Sequence, residues 1–79
     1  MGGSMSECFF VAYGGHWGKR GWTYYEVKFS TISAALQFYE AAKLPKYIGH
    51  KIGKFKFELT ELGIEAEIEK EKGANGLSN

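Results

Sequence analysis

Several residue types are scarce or missing in this chain of 79 residues. It has one cysteine, Cys8, so no disulfide can form within the chain, and a lone thiol is typical of a reducing compartment. We therefore expect a cytoplasmic protein. Aspartate is absent, which removes a frequent metal ligand and the usual acid of a catalytic triad. No apolar run approaches the roughly 20 residues that a membrane-spanning helix needs, so we expect no contact with a membrane.

Motifs for catalysis or metal binding are also lacking. His16, His50 and Cys8 are the only good ligands for a soft metal, and their spacing matches no zinc pattern. The glycine-rich stretch GGHWGKRG lacks the spacing of a phosphate-binding loop. We therefore predict a binding protein rather than an enzyme, with no metal and no cofactor.

The length indicates a single domain. Residues 1–4 have no apolar segment of the kind found in signal peptides, and we expect them to be a non-native remnant ahead of Met5. One α+β domain is predicted over residues 5–72, followed by a disordered tail over residues 73–79. A domain of this size buries only about 60% of the surface of its unfolded chain, so its core must be held by packing alone or by packing against a second copy.

The net charge of +1 conceals an uneven distribution. Residues 14–56 carry eight Lys or Arg and two Glu, a sum of +6, whereas residues 57–79 carry two Lys and six Glu, a sum of −4. Glu7 is the one charged residue ahead of them. A basic middle next to an acidic end is therefore more informative than the net charge.

The first half of the chain predicts two strands and a helix. Residues 7–13 form an apolar run typical of a strand, and residues 22–30 alternate apolar with polar side chains. Residues 30–44 follow a helical spacing, with Ser30 or Thr31 as the cap and Pro45 beyond the end.

The second half is predicted as a loop and a hairpin. Two glycines and a proline favour a loop over residues 45–53. Residues 54–70 alternate with period two, which favours a hairpin that pairs Lys54 with Glu69 and Lys56 with Glu67. The alternative is a helix through residues 60–72, since Glu and Lys favour helices. The predicted fold is a small antiparallel sheet in the order β-β-α-β-β with one helix packed on one face.

The stretch HWGKRGWT connects the first two strands. A loop of residues 18–21 places Trp17 opposite Trp22, His16 opposite Thr23 and Tyr13 opposite Glu26. One interpretation is structural, because a cross-strand aromatic pair stabilises a long hairpin.

The other interpretation is a binding site, because a basic tip can contact phosphate while the aromatic rings stack on bases. The same residue types dominate protein-binding hot spots, so the alternative is a protein-binding module or small inhibitor, with this hairpin or the acidic C-terminal hairpin face as its contact surface. The candidate partner-binding residues are His16, Trp17, Lys19, Arg20, Trp22, Tyr24, Lys46, Tyr47 and Lys51.

The predicted helix has a wider apolar arc than one packed face needs. Ala34, Phe38 and Ala41 extend this arc sideways. An exposed Phe38 between alanines suits close packing against another helix, so these three residues are the predicted homodimer interface. Glu58, Glu65, Glu67, Glu69 and Glu71 are expected to share an exposed acidic face.

Overall fold

A computed structural model describes the backbone of residues 6–77 and the side chains of residues 6–73. The described chain contains four strands and two helices, so the predicted α+β class and antiparallel sheet are confirmed, whereas the single helix is wrong. The remnant predicted at residues 1–4 lies outside the described residues. In chain order the elements are β1 (Glu7–Gly18), β2 (Gly21–Phe29), α1 (Ile32–Ala41), β3 (Lys46–Ile52), β4 (Phe55–Glu58) and α2 (Glu61–Leu77).

The four strands form one sheet in the order β2-β1-β3-β4, and every neighbouring pair is antiparallel. On the central strand β1, Phe9 and Val11 point to the face that the helices cover, where they form the core with Ile48 of β3 and with Ile32 and Ala35 of α1. We call the opposite face, which neither α1 nor α2 covers, the open face. The sheet therefore has one face packed on a core and one face available for contacts.

Helix α1 begins where the sequence predicted and ends earlier. The side chain of Thr31 accepts a hydrogen bond from the amide of Ala34, so Thr31 rather than Ser30 is the cap. The helix ends at Ala41, because Ala42 is already extended and Leu44 precedes a proline, which disfavours helical angles. The predicted end at Leu44 is therefore wrong by three residues.

The loop predicted over residues 45–53 is wrong, because most of it forms the interior strand β3. Gly49 made this stretch resemble a loop, yet the glycine is required by packing. The ring of Phe10 lies directly over it, and a Cβ atom at this position would lie 2.3 Å from Phe10 Cζ. Such a glycine marks close approach within a strand rather than a turn.

The hairpin predicted over residues 54–70 is half wrong, because its second strand is the helix α2. Thr60 caps this helix by accepting a hydrogen bond from the amide of Gly63. Ile64 and Ile68 pack against the core, and their spacing of four fits a helix as well as a strand. The alternative of a helix is therefore correct here. Helix α2 also includes residues 73–77, where the sequence predicted a disordered tail. Residues 78 and 79 lie outside the described residues.

Two further predictions, the ion pair of Lys56 and the exposure of Phe38, differ from the structure. Lys56 does not pair with Glu67 but lies 2.5 Å from Glu26 of β2. Phe38 is half-buried, with its ring 5.1 Å from that of Tyr13 and 5.5 Å from that of Phe29. The prediction of an exposed Phe38 is therefore wrong, because the aromatic side chains of β1 and β2 occupy the space around it. Ala34 is half-buried and Ala41 is exposed.

Candidate functional site

Strand β1 extends beyond its pairing with β3. It pairs with β3 only from Glu7 to Tyr13, but its pairing with β2 continues to Gly18. Residues 14–23 therefore form a two-stranded projection, which we call the hairpin arm. As predicted, Trp17 lies opposite Trp22 and His16 lies opposite Thr23. Gly18 and Gly21, which were predicted as part of a four-residue loop, pair with each other at the ends of the two strands.

A bulge separates the arm from the sheet. Tyr13 lies opposite Tyr25 rather than the predicted Glu26, because Gly14 and Gly15 insert one extra residue into β1. Their φ angles are +53° and +109°, which glycine adopts without strain. A Cβ atom on Gly15 would lie 2.3 Å from the carbonyl oxygen of Thr23. A bulge of this kind bends a strand and increases its local twist, so it sets the direction of the arm.

Hydrogen bonds hold this bulge in place. The amide of Gly14 donates to the carbonyls of Lys43, at 3.1 Å, and Pro45, at 2.8 Å. The indole Nε1 of Trp22 donates to the carbonyl of Gly14 at 3.0 Å. Trp22 is therefore anchored at the base of the arm. It borders an open groove of about 550 Å³ that is lined by Tyr13, Gly14, Gly15, Trp22, Tyr25, Lys43 and Leu44.

The tip of the arm presents two cations and the largely exposed ring of Trp17. Lys19 and Arg20 form the turn, both are exposed, and neither makes an ion pair or side-chain hydrogen bond with the described part of the chain. The positive φ of the turn falls on Gly21, at +104°. Trp17 is 76% exposed and meets Trp22 edge to face, with the ring centres 5.7 Å apart.

Charge is segregated along the molecule. Residues 14–25 carry Lys19 and Arg20 and no acidic side chain. The glutamate-rich helix α2 packs near the N-terminal end of α1. There the carboxylate of Glu71 accepts hydrogen bonds from the amide of Ile32 and from Ser33 Oγ. The charged side chains of the arm are therefore all positive, which favours the approach of an anionic partner.

The open face adds an aromatic cluster beside the arm. Tyr24 and Tyr47 meet edge to face at 5.3 Å, and Tyr47 meets Phe10 at 6.0 Å. Phe10 itself is buried, partly under the ammonium group of Lys56, which lies 5.0 Å from the ring centre. The structure thus brings together Tyr24 and Tyr47, two of the predicted partner-binding residues.

Two of the predicted lysines serve structural contacts. Lys46 Nζ donates to the carbonyl of Tyr39 at 2.6 Å, where it caps the end of α1. Lys51 Nζ donates to the carbonyl of Gly53 at 2.7 Å, and Lys51 lies opposite Cys8, away from the arm. His16 stays on the arm, exposed, with its ring 5.7 Å from that of Tyr25.

A buried histidine, His50, lies outside the predicted site. His50 is only 7% exposed, its ring stacks on Phe9 at 4.6 Å, and its Nε2–H donates to Glu7 at 2.7 Å. Its Nδ1 lies 3.6 Å from a carboxylate oxygen of Glu67. The alternation of Ile48 with His50 is the signal that places this histidine on the core face of a strand.

Glu67 and Glu71 therefore point towards the protein, so the prediction that both lie on an exposed acidic face is wrong.

Among residues 6–73, no three His, Cys, Asp or Glu side chains come together as a metal site. No helix in the described part of the chain is long and apolar enough to cross a membrane. Comparisons with protein-family models, with curated proteins and with solved structures found no match.

Proposed function

We propose that the protein binds nucleic acid through the hairpin arm, with Lys19 and Arg20 on the phosphate backbone and Trp17 stacked on a base. The observation that carries the proposal is the pairing of two free cations with a Trp ring that is 76% exposed, on an arm without acidic residues. Cations without local partners are free to contact phosphate, and each such contact releases counterions condensed on the nucleic acid, which supplies much of the affinity of such interfaces.

The aromatic side chains behind the tip support the same partner. An exposed tryptophan offers a face on which a base of any type can stack, and each such contact contributes about 1–3 kcal/mol. The groove at the base of the arm adds Tyr25 and the exposed Leu44, which is 79% exposed. Unpaired bases can enter such a groove, so we expect single strands to bind more tightly than duplexes of the same length.

The first test is a titration of tryptophan fluorescence with single-stranded and duplex oligonucleotides at low and moderate salt. Both tryptophans of the chain lie on the arm, so the signal reports on this site alone. We expect a saturable change that weakens as salt is added. A folded protein whose fluorescence does not respond to either nucleic acid at low salt would refute the proposal and direct attention to a protein partner.

Matched variants locate the site. The double variant K19A/R20A removes both cations of the tip, and the control K54A/K72A removes two exposed lysines far from the arm. Lys54 lies in the turn at the Glu7 end of the sheet, and Lys72 follows Glu71 on α2. We expect only the first variant to weaken binding strongly. Equal losses in both variants would indicate attraction by net charge rather than a site on the arm.

A further inference from the structure

Strand β4 is an edge of the sheet with uncovered apolar side chains. Phe55 and Phe57 are 64% and 52% exposed, and they lie on the face that carries the helices, opposite Ile52 and His50. On the other edge strand, β2, the corresponding residues Val27 and Phe29 are half-buried. An edge with an exposed apolar row is a template for pairing with another strand.

The hydrogen-bond pattern of β4 determines how a partner strand can attach. The amide of Leu59 donates to the carbonyl of Ile48 at 2.9 Å. Because backbone groups alternate in direction along a strand, the N–H and C=O groups of the odd-numbered residues of β4 point towards β3. The N–H and C=O groups of Lys56 and Glu58 therefore point away from the sheet. In an antiparallel pair added at this edge, Lys56 and Glu58 must therefore occupy the hydrogen-bonded positions.

Several registers with a second copy of the same strand satisfy this requirement, and the one centred on Phe57 is the register that sets no like charges opposite each other. When two β4 strands pair antiparallel about Phe57, Lys56 of each copy lies opposite Glu58 of the other, in a hydrogen-bonded pair. Phe57 lies opposite itself in a non-hydrogen-bonded pair, where side chains approach most closely. Phe55 lies opposite Leu59. This register thus joins opposite charges on the open face and apolar side chains on the other face.

We infer that the protein forms a symmetric dimer by antiparallel pairing of β4 with β4 about Phe57, which yields one continuous sheet of eight strands. The interface is self-complementary, as a two-fold axis requires. The inference is independent of the proposed function, because it rests on the edge of the sheet farthest from β2. It also differs from the interface predicted at Phe38, whose ring is half-buried in its own chain.

Charge reversal tests the register. In sedimentation equilibrium, K56E and E58K each place like charges opposite one another twice per dimer, and we expect each to weaken association roughly tenfold or more. The double variant K56E/E58K restores opposite charges across the interface and should restore association. It does not restore the contact of residue 56 with Glu26, so recovery distinguishes the dimer from the intramolecular ion pair. The control K54E reverses a charge opposite Thr60 and should change little.

Disulfide trapping tests the two-fold axis directly. In a C8S background, F57C places two thiols opposite each other in a non-hydrogen-bonded pair, whose Cα separation of about 4.5 Å suits a disulfide. Mild oxidation should give a covalent dimer from F57C and far less from F55C, which lies opposite Leu59. Circular dichroism confirms the fold of each variant. A wild-type protein that stays monomeric at high concentration, or equal cross-linking of F55C and F57C, would overturn the inference.

Discussion

At the scale of single residues, Gly49 and Phe10 form a matched pair in two adjacent strands. The ring of Phe10 is on the open face and yet only 1% exposed, because the end of the ring occupies the space that a side chain at residue 49 would fill. A side chain at residue 49 would also meet the carbonyl oxygen of Phe57, at 2.7 Å. The glycine therefore allows a large apolar side chain to be buried on a face without helices.

We predict that Gly49→Ala destabilises the protein by about 1–3 kcal/mol, the range that overpacking of a core produces. Urea denaturation followed by circular dichroism measures the difference. Gly73→Ala is the control, because an added Cβ on α2 meets nothing within 4 Å. It should stabilise by up to about 1 kcal/mol, since alanine is the better helix former. Equal stability of the Gly49→Ala protein and the wild type would contradict the packing of Phe10.

At the scale of elements, the bulge and the caps decide where each strand and helix points. The bulge at Gly14 and Gly15 is bonded to the carbonyls between α1 and β3, so the arm is fixed to the body of the protein at its base. A hydrogen bond also joins the two helices. The carboxylate of Glu71 on α2 accepts from the amide of Ile32, which has no partner within α1 because it is at the start of that helix. A negative charge there also complements the helix dipole.

We predict that Gly15→Ala disorders the arm and leaves the core folded. An alanine at φ +109° is strained, and its Cβ clashes with the carbonyl of Thr23. The emission of Trp22, which is 40% exposed and hydrogen-bonded to Gly14, should move towards that of free tryptophan in water, while the far-ultraviolet circular dichroism of the helices persists. Gly18→Ala is the control, because a Cβ there has only ordinary contacts, the closest at 3.7 Å. A shift of the same size in both variants would disprove the special role of the bulge.

We predict that Glu71→Ala lowers the free energy of unfolding by about 0.5–2 kcal/mol, as the loss of a helix cap does. Thermal unfolding of this variant is compared with that of Glu69→Ala, which removes an exposed carboxylate from the same helix. The second variant should stay within about 0.5 kcal/mol of the wild type. If both variants unfold alike, Glu71 does not hold α2 on α1.

At the scale of the whole molecule, the basic arm and the acidic helix lie at different ends of the long strand β1. This separation orients an approaching polyanion towards the tip of the arm. In the proposed dimer the two arms lie near the outer edges of the eight-stranded sheet. They point in opposite directions because the two-fold axis reverses the strands.

We predict that the salt dependence of nucleic-acid binding changes with the charge of the arm. Each lysine or arginine that contacts phosphate adds about one to the slope of log K against log salt. The slope of K19A/R20A should therefore be shallower than that of the wild type by about two. Fluorescence titrations at several salt concentrations provide both slopes, with K54A/K72A as the comparison. An unchanged slope in K19A/R20A would show that these two residues do not contact phosphate.

Local patterns were sufficient for some elements of this protein. The pairing of Trp17 with Trp22, and the cap and apolar face of α1, depend on contacts between neighbours in the chain, and the predictions of them are confirmed. The candidate site could be predicted at the tip for the same reason. The hydrogen bond of Lys46 to the carbonyl of Tyr39 could not be predicted, because these two residues become neighbours only when the chain turns from α1 into β3.

By itself, therefore, the sequence determined the antiparallel α+β class, the hairpin tip and the start of α1, each through residues within one turn or one hairpin. Only the tertiary structure decided that residues 46–52 form a strand and residues 61–77 a helix. Gly49 resembles a loop residue until Phe10 packs on it. Ile64 and Ile68 fit period two and a helical turn equally well. The choice came from the surface available to bury them, which no local pattern contains.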